Sequence, residues 1–281
     1  MGELFSNGSR GPGVPVLMYH EISKTEEGKK KERITNPDYC LPVQLFREQM
    51  NYLASNRYQS LSLQELIELK GRQNYRSVVI TFDDGWLNNY TDAFQILKEH
   101  GLSATIFVVT GFIGRPGYMN WNQLKEMSNA GISIQSHTAS HMPLTLLPVE
   151  KIRHELSASK MSLEDHLERK VEFLSLPHGM GNRMVYALAR EIGYRAVCTS
   201  EPGYSHIFGS LSVLRRMNVA GRYGLDDFRK IIEQDRMMIT SLMISKAMKN
   251  LVKKVFGYRS YRAMYRLRYG FGSKIKQSGP Q

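Results

Sequence analysis

The chain has 281 residues, 42% of them hydrophobic, enough for one large α/β domain with a buried core. Its two cysteines, Cys40 and Cys198, exclude a disulfide framework and a cysteine-based zinc site, and no run reaches the roughly 18 apolar residues that cross a bilayer. The net charge of +12 is concentrated at one end, because residues 246–281 carry ten basic residues and no acidic one.

The first residues, MGELFSNGSRGPGVP, lack a basic start followed by an apolar run, so no secretory signal is read and a cytoplasmic enzyme is expected. Residues 1–13 are taken as a flexible lead-in, 14–245 as one domain and 246–281 as a basic, aromatic-rich tail. Residues 14–18 form a short strand that runs into Tyr19-His20, and 24–36 form a polar loop. Over 41–56 the residues Leu45, Phe46, Met50 and Leu53 fall on one helical face, with Pro42 suited to a first turn. Strands are expected at 77–82, 104–109, 132–136, 171–176 and 195–199, with helices near 62–70, 87–100, 121–130, 148–166 and 181–193. This alternation implies parallel pairing, hence an α/β barrel or a doubly wound sheet. Either fold collects ligands beyond the carboxyl ends of its strands.

Four of the expected strand ends carry polar residues. Asp83 and Asp84 close the run SVVITF, and Gly85 permits the turn that brings neighbouring carboxylates to one site. In SHTASH, His137 and His141 stand four apart, a spacing that aims two imidazoles at one metal if the segment winds as a helical turn. His20 follows the first strand, and FLSLPHG ends in a turn at Pro177, His178 and Gly179. Taken singly, these are an Asp-Asp-Gly turn, a surface histidine pair, a core histidine and another turn. Their recurrence at successive strand ends makes them one candidate site, whose two histidines and carboxylate suit zinc or a similar divalent ion.

The segments PVLMYHEI, FREQMNYLASNRYQSLSLQEL, VVITFDDGW, ATIFVV, SHTASH and GYRAV resemble the polysaccharide deacetylases of carbohydrate esterase family 4, the NodB-homology domain. Within that family the likeness is to the subgroup with an N-terminal Leu-x-Tyr-His segment. The resemblance covers about residues 14–235 and implies an α/β fold, a distorted and incomplete (β/α) barrel. It further implies metal-dependent removal of N-acetyl groups from an amino sugar in a polysaccharide, oligosaccharide or lipid-linked saccharide. Carried over by residue, Asp83 is the general base, Asp84, His137 and His141 are the ligands of a divalent metal, Zn2+ in the first instance, and His20 is the general acid. A backbone N–H in the turn Pro177, His178, Gly179 is the expected second oxyanion donor. Many relatives carry Arg-x-x-Pro-Tyr-Gly where this chain has Phe-Leu-Ser-Leu-Pro-His-Gly, so that arginine is missing. Arg216, or its neighbour Arg215, resembles a late basic position of the subgroup and is expected to orient Asp83.

Deformylation of a lipid-linked amino sugar is a close chemical variant, and a catalytically inert carbohydrate-binding relative is the alternative from another class. The complete set of candidate residues argues against the second. In the tail, cations interleave with Tyr258, Tyr261, Tyr265 and Tyr269, as in an amphipathic helix lying on an anionic membrane. Peripheral association with the inner face of the cell membrane is therefore expected, beside a plain solvated tail. No nucleic-acid motif is present, and no oligomeric state is read from the sequence.

Overall fold

The computed structural model describes residues 13–24, 37–69, 76–203 and 211–269, with 253–269 described as helix backbone alone. The expected flexible lead-in, apart from Gly13, lies outside the described residues, as do 25–36 of the polar loop and the end of the tail.

The described strands are β1 (Val16–Tyr19), β2 (Glu21–Ser23), β3 (Cys40–Pro42), β4 (Gln59–Ser60), β5 (Ser77–Phe82), β6 (Thr105–Val108), β7 (Ser133–Ser136), β8 (Phe173–Ser175), β9 (Ala196–Cys198), β10 (Ser212–Leu214) and β11 (Met217–Asn218). The helices are α1 (Val43–Ser55), α2 (Leu63–Glu68), α3 (Phe94–Glu99), α4 (Trp121–Asn129), α5 (Val149–Leu167), α6 (Arg183–Glu191), α7 (Leu225–Ile232) and α8 (Arg236–Tyr269). Local chemistry sets several boundaries. Ser62 with Glu65 and Asn120 with Gln123 form reciprocal capping boxes at the starts of α2 and α4. Pro42 precedes α1 as its N-cap rather than entering the first turn. The helix expected over 87–100 begins as a π-helical turn, Asn89–Ala93, ahead of α3.

The principal sheet has the order β10-β9-β8-β7-β6-β5-β1-β11, and every pairing along it is parallel. Its inner strands β1, β5 and β6 are short and buried on both faces, as parallel sheets covered by crossover helices require. The sheet divides the apolar side chains into two clusters. Leu17, Ile80, Ile106, Ile134, Leu174 and Val197 pack with the helices, whereas Val16, Val79, Phe107, Phe173, Ala196 and Leu214 pack with Leu61, Leu63 and Leu66 of the α2 region. This is the period-two division of a strand between its two faces.

The two edges of this sheet belong to one stretch of chain. β10 pairs with β9 at one edge and β11 with β1 at the other, yet only Arg215 and Arg216 separate them. The last strand thus steps across the seam and draws the sheet into a distorted barrel. The carboxyl ends of β1, β5, β7, β8 and β9 all open on the same rim. The helix α8 starts ahead of residue 246, where the tail was expected to begin, and its Ile239 is buried in the main core.

Candidate metal centre

The site begins where β5 stops. Asp83 follows Phe82 in extended register, and its N–H donates to Tyr19 O at 3.0 Å. Asp84 then turns into the left-handed region at φ 76°, followed by Gly85 at φ 81°. The turn predicted at Gly85 therefore starts one residue earlier, in a conformation that a side chain adopts only at a cost. A Cβ at Gly85 would press on Val108 at 3.1 Å, so the residue also admits β6 closely.

His137 follows β7 and His141 ends the same loop, but the segment is not a helical turn. Thr138 (φ 67°) and His141 (φ 61°) are both left-handed, and Thr138 N donates to Ser136 Oγ at 3.2 Å. The loop is clamped from α5. Glu155, buried, accepts from Ala139 N at 3.0 Å, from Ser140 N at 2.8 Å and from the Ser140 hydroxyl. On its other side, Gly111 N donates to Ala139 O at 2.8 Å. A Cβ at Gly111 would stand 2.6 Å from that oxygen, so only glycine allows the approach.

Asp84 Oδ1 lies 3.4 Å from His137 Nε2 and 3.3 Å from His141 Nε2. These are long for hydrogen bonds but match the roughly 3.3 Å between ligand atoms on a tetrahedron with metal bonds of about 2.0–2.1 Å. Three further observations fit a divalent ion. Asp84 Oδ1 is buried with no hydrogen-bond partner, while Oδ2 accepts from Trp86 Nε1 at 3.1 Å. His137 Nδ1 stands 2.8 Å from Ser175 O, a carbonyl that can only accept, so Nδ1 carries the proton and Nε2 keeps its lone pair. Among the described residues, Asp84, His137 and His141 form the group of possible ligand atoms, all within 4.8 Å of one another.

The charges bear this out in direction. Burial works against ionisation of Asp84, but His137 and His141 overcome it and hold the carboxyl well below the usual range. The imidazoles shift oppositely. Burial pushes His141 down to about 4 against the pull of Asp84, whereas for His137 the combined charges of Asp83 and Asp84 outweigh burial and raise it. Both aspartates act on both rings, but His137 also gains from its contact with Asp84 and from the Ser175 carbonyl at Nδ1.

Asp83 is not part of the ligand group. Arg216 holds it in a two-pronged contact, Nη1 to Oδ1 at 2.7 Å and Nη2 to Oδ2 at 2.7 Å. The remaining guanidinium donors reach Thr199 O, Thr81 Oγ1 and Ser175 Oγ at 2.9, 3.2 and 2.8 Å. All five N–H groups are thereby satisfied around a side chain 1% exposed. Burial would raise the Asp83 pKa, yet Arg216, His137 and His20 lower it to about 2. Arg216 rather than Arg215 makes this contact; Arg215 packs beside Gly203.

His20 lies at the end of β1, its ring 4.4 Å from that of Tyr39 and its Nδ1 buried without a hydrogen-bond partner. Burial lowers its pKa against the pull of Asp84 and Asp83. The turn Pro177–Gly179 also borders the centre, with the His178 ring 4.7 Å from the His141 ring and His178 left-handed at φ 60°. Pro177 has no N–H, and Gly179 N donates to Leu176 O at 2.9 Å, so the expectation of an amide donor here narrows to His178. Phe112 and Tyr118 form an aromatic border, Tyr118 stacked on Trp86 at 4.6 Å.

Two residues of the site escaped sequence reasoning. Ser175 bridges the arrangement, donating Oγ to Asp83 Oδ2 at 3.1 Å while its carbonyl receives His137. Glu155 lies mid-helix, and only its position among buried residues of α5 marks it.

Fold and site together define an α/β barrel protein with a candidate divalent-metal centre at the carboxyl ends of its strands. The chain belongs to the polysaccharide deacetylase family, whose sequence profile matches residues 70–197. YxkH of Bacillus subtilis, assigned by name to the same family, is 32% identical over 210 residues, covering 74% of this chain and 71% of its own. A poly-β-1,6-N-acetyl-D-glucosamine N-deacetylase of Staphylococcus epidermidis is 32% identical over 140 residues, 44% of this chain and 47% of that relative. The chain thus spans about half of that enzyme. Among solved structures, the Streptococcus pyogenes deacetylase PplD in complex with acetate superposes with a TM-score of 0.72 at 26% identity, covering 79% of this chain and 98% of that one. A polysaccharide deacetylase from Bacillus cereus gives a TM-score of 0.69 at 26% identity over 78% of this chain and 69% of its own.

Proposed function

We propose that the protein is a metal-dependent hydrolase that removes the N-acetyl group from an amino sugar of a saccharide chain. The observation that carries this reading is the pairing of a buried, arginine-held carboxylate, Asp83, with an adjacent Asp84-His137-His141 group that has ligand spacing. A binding protein has no use for both. Likeness to the poly-β-1,6-N-acetyl-D-glucosamine N-deacetylase of Staphylococcus epidermidis supports N-acetylglucosamine as the sugar class.

Asp84, His137 and His141 would hold a divalent ion, which when bound would supply polarisation of the amide carbonyl and acidification of water. Asp83, charged and fixed by Arg216 and Ser175, receives the proton of the attacking water. His20 returns a proton to the departing amine. Trp86 and Ser175 orient the ligands Asp84 and His137 from behind.

The test is acetate release from N-acetylglucosamine oligomers by the full chain. Asp83→Asn is expected to keep bound metal and lose about 100-fold or more in kcat, whereas His137→Ala loses both metal and turnover. Unchanged turnover in Asp83→Asn would remove it from the role of base. Release of formate in place of acetate from paired substrates would instead favour the deformylase reading.

A further inference from the structure

The helix α8 presents two different faces. Ile239 is buried, Met238 and Leu242 pack against the core, and the next turns of that side reach the rim of the site. Lys246 Nζ donates to Ser200 Oγ at 2.7 Å and Asn250 Nδ2 to Glu201 Oε1 at 3.2 Å, while Lys249 Nζ lies 3.7 Å from Asp38 Oδ2. Asp38 adjoins Tyr39, whose ring covers His20. The opposite side carries Met237, Ile244, Met248 and Leu251, spaced seven, four and three residues apart, which is one stripe of an α-helix. They are 81%, 56%, 64% and 61% exposed, and Met243 borders them at 44%. A run of large apolar side chains in water along one helix face marks an interaction surface.

The charge of the helix identifies what covers it. Arg236–Tyr269 contains nine basic residues and no acidic one. A second copy docked face to face would set two such helices against each other, so like charge opposes self-association. Lys246 and Lys249 are turned to the domain. The same charge density excludes a membrane-crossing helix, and no helix among the described residues is long and apolar enough to cross one. An apolar stripe on a wholly cationic helix complements a surface that is apolar beneath and anionic above.

We propose that the outward face of α8 lies in the head-group layer of an anionic bilayer, with Met237, Ile244, Met248 and Leu251 inserted and the positive charge of the helix matched by the anionic surface. The helix then joins the membrane surface to two rim segments of the site, Ser200-Glu201 and Asp38-Tyr39.

The full chain is sedimented with vesicles of phosphatidylcholine plus phosphatidylglycerol, or of phosphatidylcholine alone, at low and high salt. The expected result is binding to the anionic vesicles that falls as salt rises. The variant Ile244→Gln/Met248→Gln/Leu251→Gln, which keeps every charge and good helix formers, is expected to lose about tenfold or more in partition. It should retain metal content and hydrolysis of a soluble ester. Wild-type protein left in the supernatant with both vesicles, equal binding to both, or undiminished binding by the variant each overturns the proposal. A dimer of the wild type that the variant converts to monomer overturns it too, by giving the stripe to a second copy. Binding is read without substrate, so failure here is distinct from failure of the deacetylase reading.

Discussion

Arg216 sits where an unpaired charge would be untenable, and Asp83 and Arg216 therefore depend on each other. Replacing the guanidinium by an apolar chain of similar length, Arg216→Met, leaves a carboxylate buried without its cation. A loss of about 3–5 kcal/mol is expected in chemical denaturation; a loss below about 1 kcal/mol would show that water or another group relieves Asp83. The pair also sets an acid limit. Its folded-state pKa of about 2 lies below the ordinary 3.8, so the unfolded chain takes up the proton first. The stabilisation is complete above about pH 4 and disappears as pH falls toward about 2, a difference of about 2 kcal/mol. Denaturation of metal-free protein at about pH 5 and pH 2 checks this, and Asp83→Asn should lack that step.

Among the elements, α5 is the one whose side chain reaches the chemistry without touching it. Glu155 receives two consecutive amides and a hydroxyl from the loop between the two histidines, so it fixes a backbone whose dihedrals are unfavourable. Glu155→Ala is expected to weaken metal binding about 10- to 100-fold, while Glu155→Gln, which keeps one acceptor oxygen, recovers part of it. Equal affinity in all three proteins, measured by competition with a chromogenic chelator, would reduce Glu155 to a helix residue. Such a role lies beyond local pattern, because residue 155 meets residues 139 and 140 only after α5 folds back. The longest strand was legible because β5 is a nearly continuous apolar run ending in polar residues, and its end carried Asp83 and Asp84 with it. β10 and β11, at three and two residues, are too short to show a period, and the arginines between them read as surface charge. Ser175 was hidden for the opposite reason, being one hydroxyl within an apolar strand. The histidine loop was correctly located but given a helical form, since spacing alone cannot register the left-handed residues Thr138 and His141.

For the whole molecule, a metal bound to the native site alone adds to global stability by mass action. Ion at about 100 times its Kd contributes about 2.7 kcal/mol, so chelation should lower Tm by about 5–10 °C for a domain of this size. An unchanged Tm on removal of a metal shown to be bound would mean that the unfolded chain holds it equally well. The seam between β10 and β11 acts at the same scale, because the step that joins the two sheet edges is the residue that grips Asp83. Its consequence concerns the order in which a nascent chain gains competence. His20, Asp83, Asp84, His137 and His141 all emerge from the ribosome well before residue 216, and until then Asp83 has no cation and the barrel no closing strand. The site is thus completed late in synthesis, and a chain interrupted anywhere before Arg216 is left both open-edged and with Asp83 lacking its cation.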